Sequence, residues 1–141
     1  MHLRALDTAD GPDALALYNE LTFGPPSTDL AAYLLVLNHP GTTIIGVEID
    51  DRIRAMVTLH ILPNVTWDAR PYALIENVIT ASAYRERGIG KAVMQHAAQV
   101  AWDQNAYKIM LLTGEKRGAQ DFYRACGFDS EDKTAMVMRR P

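Results

Sequence analysis

Residues 85–91 read Arg-Glu-Arg-Gly-Ile-Gly-Lys, three cations and two glycines in seven positions where the pattern predicts a helix to begin. No Ser, Thr, Asp or Asn stands at the junction to cap that helix, and a cation in a first helical turn is unfavourable by roughly 0.3–1 kcal/mol. A bound anion removes the conflict. The uncapped amides and the helix dipole attract negative charge, Arg85, Arg87 and Lys91 add to that attraction, and Gly88 and Gly90 let a ligand approach the backbone closely. Spacing excludes two common phosphate loops. A P-loop needs Ser or Thr after Gly90-Lys91 and a glycine upstream, but Ala92 follows. A dinucleotide fingerprint needs a small residue where Val93 stands. The four histidines are scattered and show no ligand pair, so no metal is expected. Cys126, the one cysteine, excludes an internal disulfide and a thiol-based zinc cluster and reads as a small buried filler.

Around this stretch the elements follow from periodicity and punctuation. Residues 2–6 read as a first strand, and Asp10-Gly11-Pro12-Asp13 opens a helix that continues through 14–21. The prolines of 23–28 force a break, after which Ser27 or Thr28 can cap a helix over 29–37. The period then changes to two: strands at 42–49 and 53–62 are joined at Asp50-Asp51-Arg52, a hairpin signal. A proline-bracketed loop (63–71) leads to a strand at 72–80. Residues 88–105 form a long helix with Ile89, Val93, Ala97 and Val100/Ala101 on one apolar stripe. A strand at 107–113, a helix at 117–128 and a closing strand at 134–140 complete an α+β order, β-α-α-β-β-β-α-β-α-β. An antiparallel meander comes first and a β-α-β unit second.

Composition narrows the partners. The 141 residues are 48% hydrophobic and 22% charged, which suits a single globular domain spanning 1–141. A net charge of −3 argues against a nucleic-acid surface, which needs a basic excess. No apolar run approaches a membrane span and no secretory leader is evident, so no membrane partner and a cytoplasmic setting are expected.

Arg-x-x-Gly-x-Gly after a strand resembles the acyl-CoA pyrophosphate loop of the GNAT superfamily of N-acetyltransferases. Residues 121–128, Asp-Phe-Tyr-Arg-Ala-Cys-Gly-Phe, are similar to that family's downstream Phe-Tyr-x-x-x-Gly-Phe signature, and the element order agrees. Within the superfamily, segments 74–80, 106–112 and 121–128 look similar to glucosamine-phosphate N-acetyltransferases. The resemblance implies a mostly antiparallel central sheet flanked by helices, with acetyl-CoA as acyl donor and no metal. It implies that Val78, Ile79 and Thr80 present backbone groups to the pantetheine arm. Arg85, Arg87, Gly88, Ile89, Gly90 and Lys91 would then hold the pyrophosphate. It also implies that an amide near Val78 stabilises the oxyanion, that Tyr123 is the general acid, and that the chain can form a homodimer.

Acetyl transfer also requires a neutral amine. Glu76 is the candidate base, and strand alternation predicts it on the face of Val78 and Thr80, opposite Asn77 and Ile79. The acceptor pocket is expected to draw on loops 23–28 and 63–71, with Trp67 and Arg70 as walls. Ala119 stands where many relatives carry a cofactor-contacting asparagine, and two departures from the glucosamine-phosphate group bear on the acceptor: a longer segment 113–118 and Asn77 in place of aspartate. The expected activity is direct acetyl transfer from acetyl-CoA to a small primary amine in a ternary complex. A protein or peptide acceptor and a non-catalytic acyl-CoA-binding domain remain as alternatives.

Overall fold

The computed structural model describes residues 1–141, the side chain of Lys116 excepted. Strand β1 (His2–Ala5) leads through a 3-10 turn (Thr8–Asp10) into α1 (Gly11–Leu21) and α2 (Leu30–Leu37). The meander β2 (Thr42–Ile49), β3 (Arg52–Leu62) and β4 (Tyr72–Thr80) follows, with a single turn, α3 (Thr66–Ala69), between the last two. A 3-10 turn (Ser82–Tyr84), helix α4 (Ile89–Asp103), strand β5 (Ile109–Met110), a further 3-10 turn (Glu115–Arg117) and α5 (Gln120–Ala125) complete the elements. The sheet runs β1-β2-β3-β4-β5, antiparallel except where β4 and β5 run parallel. None of the helices among the described residues is long and apolar enough to cross a membrane.

Local chemistry explains the joints. Asp50 and Asp51 adopt φ of 52° and 57°, the positive angles that a two-residue hairpin loop requires and that Asp tolerates better than most residues. The Asp7 carboxylate accepts from the Ala9 amide, and that of Asp10 accepts from the Asp7 amide, closing a capping box before α1. Arg4 then donates to Asp10 at 2.7 and 2.9 Å and to Glu48 at 2.7 Å, tying β1 to the start of α1 and to β2. Asp29, one residue beyond the expected caps, accepts from the Ala31 amide and starts α2.

Each face of the sheet is covered. One core packs Ile45, Val47, Val57, Leu59 and Ile75 under Val93, Met94, Ala97 and Ala101 of α4. The other packs Ile44, Ile53, Met56 and Ile79 against Ala14, Leu17 and Tyr33 of α1 and α2. Burying one such aliphatic side chain is worth about 1.5–3 kcal/mol, so these two layers fix the orientation of every strand.

The structure corrects the expected ending. Residues 134–140 form no strand; Met136, Val137 and Met138 are 90%, 62% and 98% exposed. β5 spans two residues where seven were expected, and α5 is shorter than 117–128 at both ends. Alternation in a sequence specifies faces but not a partner, and a two-residue strand gives a following segment almost no ladder to bond.

Candidate active site

The site begins with an irregularity in β4. Its pairing with β3 runs from Leu62↔Tyr72 to Thr58↔Glu76 and resumes at Met56↔Ile79, so Asn77 and Val78 together oppose Val57. Asn77 absorbs the extra residue at φ 51°. This is a β-bulge, which leaves its inserted residue unpaired and bends the strand. It also inverts the alternation. Val78 packs with Ala73 and Ile75 on the α4 face, while Ile79 joins the core beneath α1 and α2. Glu76 therefore shares a face with Ile79 rather than with Val78, correcting the simple alternation.

Next to the bulge the sheet splits. β4 and β5 pair over Ala73↔Ile109 and Leu74↔Met110. Beyond those rungs a cleft of about 750 Å³ opens between residues 75–80 and 111–113. That volume lies within the range of roughly 300–1,000 Å³ common for small-molecule sites. The β4 edge facing the cleft has no strand beside it, so its backbone groups can pair with a ligand lying alongside. Glu20, Leu21 and Thr22, at the end of α1, contribute one wall. Ala119, Phe122 and Tyr123 contribute another, and Arg85, Glu86 and Gly90 close the far end.

Glu76 and Tyr123, predicted from opposite halves of the chain, line this one cleft. Glu76 is exposed to it. Tyr123 is wedged edge-on between Phe122 and Phe128, at centroid distances of 5.1 and 6.2 Å. Burial pushes its phenol above the ordinary value, with smaller upward contributions from Cys126 and Glu76 and an opposing one from Arg117. It is therefore a protonated donor throughout the neutral range.

Of the residues expected to hold the acyl carrier, Val78, Ile79, Thr80, Arg85 and Gly90 line the cleft. Arg87, Gly88, Ile89 and Lys91 continue from it without lining it. Arg87, Gly88 and Lys91 are exposed, whereas the Ile89 side chain is buried in the core and leaves only its backbone for a ligand. The two glycines serve different needs. Gly88 is the helix cap at φ 78°, with no side-chain bond to the helix amides, so a side chain there would be strained. Gly90 has an αR backbone, but a Cβ on it would lie 3.1 Å from the Thr80 hydroxyl and 3.3 Å from the Phe122 ring. Its smallness closes the loop onto β4. Arg85 is fixed by donating to the Thr80 carbonyl at 3.1 Å, and Glu20 accepts from the Ser82 amide at 2.9 Å.

Trp67 and Arg70 are not walls of this cleft. Trp67 stacks on Tyr107 at 5.5 Å, and Arg70 donates to the carbonyls of Asn105 and Ala106. Both clamp α3, where Trp67, Asp68 and Ala69 all have positive φ, to the chain after α4. The histidines are less scattered than they read. β2–β3 register sets Thr42 opposite His60, and the Thr42 hydroxyl contacts both His60 Nδ1 (2.7 Å) and His39 Nδ1 (3.0 Å). Among the described residues no group of three His, Cys, Asp or Glu is placed to hold a metal. Glu20, Arg117 and Arg139 also line the cleft and carried no sequence signal, because nothing in their neighbours' types marks a wall.

Comparison with known proteins agrees with the fold. Residues 8–128 match the model of the acetyltransferase (GNAT) family. A glucosamine 6-phosphate N-acetyltransferase of Trypanosoma brucei brucei is 28% identical over 137 residues, covering 94% of this chain and 92% of that protein. A solved chain from Agrobacterium tumefaciens str. C58, assigned by name to the acetyltransferases, is 41% identical. It superposes with a TM-score of 0.94 over 99% of this chain and 100% of its own. A Trypanosoma brucei acetyltransferase structure is 27% identical, with a TM-score of 0.79 over 98% and 99% of the two chains.

Proposed function

The chain belongs to the acetyltransferase (GNAT) family, and on that premise we propose that it moves an acetyl group from acetyl-CoA to the primary amine of a small molecule by direct attack. The observation that carries this reading is the meeting of Glu76 and Tyr123 in one cleft, at the point where β4 bulges away from its neighbour. Glu76, directly or through one water, takes a proton from the acceptor ammonium. The freed nitrogen forms a bond to the thioester carbonyl carbon as the carbon–sulfur bond breaks, and the acylated nitrogen gives up its second proton to the tyrosinate left once Tyr123 has protonated the thiolate. Tyr123 returns a proton to the departing thiolate, which a phenol with a raised pKa can do at neutral pH. The backbone amide near Val78 is the donor for the carbonyl oxygen as it gains charge, a contribution worth about 2.7–4 kcal/mol in other acyl transfers.

The donor fits the residues present. Unpaired β4 backbone meets the pantetheine arm, and the cations and bare amides of 85–91 meet the pyrophosphate. The acceptor side of the reading draws on charge. Glu20, Glu76 and Glu86 line the cleft with Arg85, Arg117 and Arg139, so it offers both signs to an acceptor carrying an ammonium and an anion. A hexosamine phosphate has that character, and the 28% identical relative is named for such a substrate. Residues 134–140 support a homodimer, because Met136, Val137 and Met138 form an exposed apolar run outside any strand.

Release of free CoA thiol should be followed with a panel of amines that includes glucosamine 6-phosphate, simple amino sugars and amino-terminal peptides. The reading expects turnover with a small amine, fastest with one that bears phosphate. Tight acetyl-CoA binding without thiol release for any acceptor would leave a binding domain, and preference for peptides would replace the acceptor class.

A further inference from the structure

The geometry points to Arg54, on β3 and outside the glycine loop, as a positioning residue for the phosphate-binding loop. It acts through Tyr84 to set Arg87. This inference rests on the acetyl-CoA reading given above.

A second β-bulge puts Arg54 in place. β2 and β3 pair at Val47↔Ala55 and then at Glu48↔Ile53, so Arg54 has no counterpart on β2. A bulge re-aims a side chain that ordinary alternation would send elsewhere. On its other edge Arg54 is bonded to the start of the loop: its carbonyl accepts from the Ala81 amide at 2.8 Å, and Ala81 in turn accepts from the Tyr84 amide at 2.8 Å. The Arg54 guanidinium lies 4.8 Å from the centroid of the Tyr84 ring, and the Arg87 guanidinium lies 5.1 Å from the same centroid. One phenol thus gathers two cations, one from the sheet and one from the loop.

Hydrogen bonding gives no reason for this cation, although its charge also favours the Asp13 carboxylate. The Arg54 Nε is buried and has no hydrogen-bond partner among the described residues, and an unsatisfied buried donor is destabilising. An apolar side chain of similar length would fill the space without that cost. Two guanidiniums drawn to one ring also repel each other, a repulsion that an anion at the loop relieves. Arg54 therefore makes sense as a brace: it holds the Tyr84 ring, and the ring holds the otherwise exposed Arg87 where phosphate arrives.

The test is a split between stability and affinity. Arg54→Met and Tyr84→Leu should each weaken acetyl-CoA binding about tenfold, equivalent to about 1.4 kcal/mol. Arg54→Met should change the melting temperature little, because relief of the unsatisfied Nε offsets the lost attraction to Asp13 and to the Tyr84 ring. Binding of acetyl-pantetheine, which lacks the nucleotide, should not change. Because Arg54 acts through Arg87, the double variant Arg54→Met/Arg87→Met should bind acetyl-CoA no more weakly than Arg87→Met alone. Unchanged affinity in Arg54→Met, or losses that add fully with Arg87→Met, would overturn the inference while leaving the donor assignment intact. Should Arg54→Met fail to fold, Arg54→Lys carries the test: a folded variant that keeps most of the acetyl-CoA affinity supports the brace, and a folded variant that loses acetyl-pantetheine affinity equally overturns it. If the wild-type protein does not bind acetyl-CoA, the donor reading itself fails and this inference falls with it.

Discussion

The roles proposed for Glu76 and Tyr123 follow from the difference in their surroundings. Glu76 stands exposed to the cleft beside a bulge. Tyr123 is pressed between two phenylalanines and keeps its proton to higher pH than a free phenol. Tyr123→Phe preserves the ring packing and removes the proton. We expect it to lower kcat by roughly 10²–10⁴ while leaving the acetyl-CoA KM within a factor of two or so. A parallel loss of acetyl-CoA affinity would assign Tyr123 to structure instead. Since burial raises the phenol pKa, any loss of rate from its ionisation should set in only above about pH 10.

At the scale of elements, the site depends on how β1, β2 and α1 are locked together behind it. Arg4 holds Asp10 below the usual carboxylate range, chiefly by hydrogen bonding, and Arg52 does the same for Asp13 with help from the Ile53 amide. Both folded pKa values are depressed, so both groups contribute stability that is present above the ordinary carboxylate pKa. That contribution is lost as pH falls through about 4 toward the lowered values. The melting temperature should therefore drop steeply below about pH 4. Asp13→Asn should melt a few degrees lower at pH 7 and show a shallower acid decline. An identical acid profile would show that the Asp13 pairs do not survive in solution. This scale also shows how much of the fold the sequence carried. The Asp50-Asp51 hairpin, the α4 stripe and the uncapped start at Gly88 were all readable, because each depends on neighbours a few residues apart. The bulge at Asn77 was not readable: it arises from how β4 pairs with β3, and no residue type in 72–80 announces an inserted position.

For the whole molecule, the segment 134–140 stands apart from both cores. Its apolar residues face solvent, and Arg139 nonetheless borders the cleft. A second copy would cover those residues by strand pairing. We expect sedimentation velocity to report a dimer, and Val137→Asp to shift it toward monomer. A Val137→Asp variant that sediments like the wild type would exclude this segment from the interface.

The sequence by itself pointed to the donor half of the proposed site. The loop 85–91 and the signature at 121–128 are local patterns, and local patterns survive being read without a fold. What only the tertiary structure decided is the face of Glu76, the removal of Trp67 and Arg70 from the pocket, the cleft opened where β5 ends, and the brace from Arg54 to Arg87. Each of these depends on which strand pairs with which and where that pairing slips by a residue. A period of two gives every strand two faces, but only its partner determines which face meets the ligand.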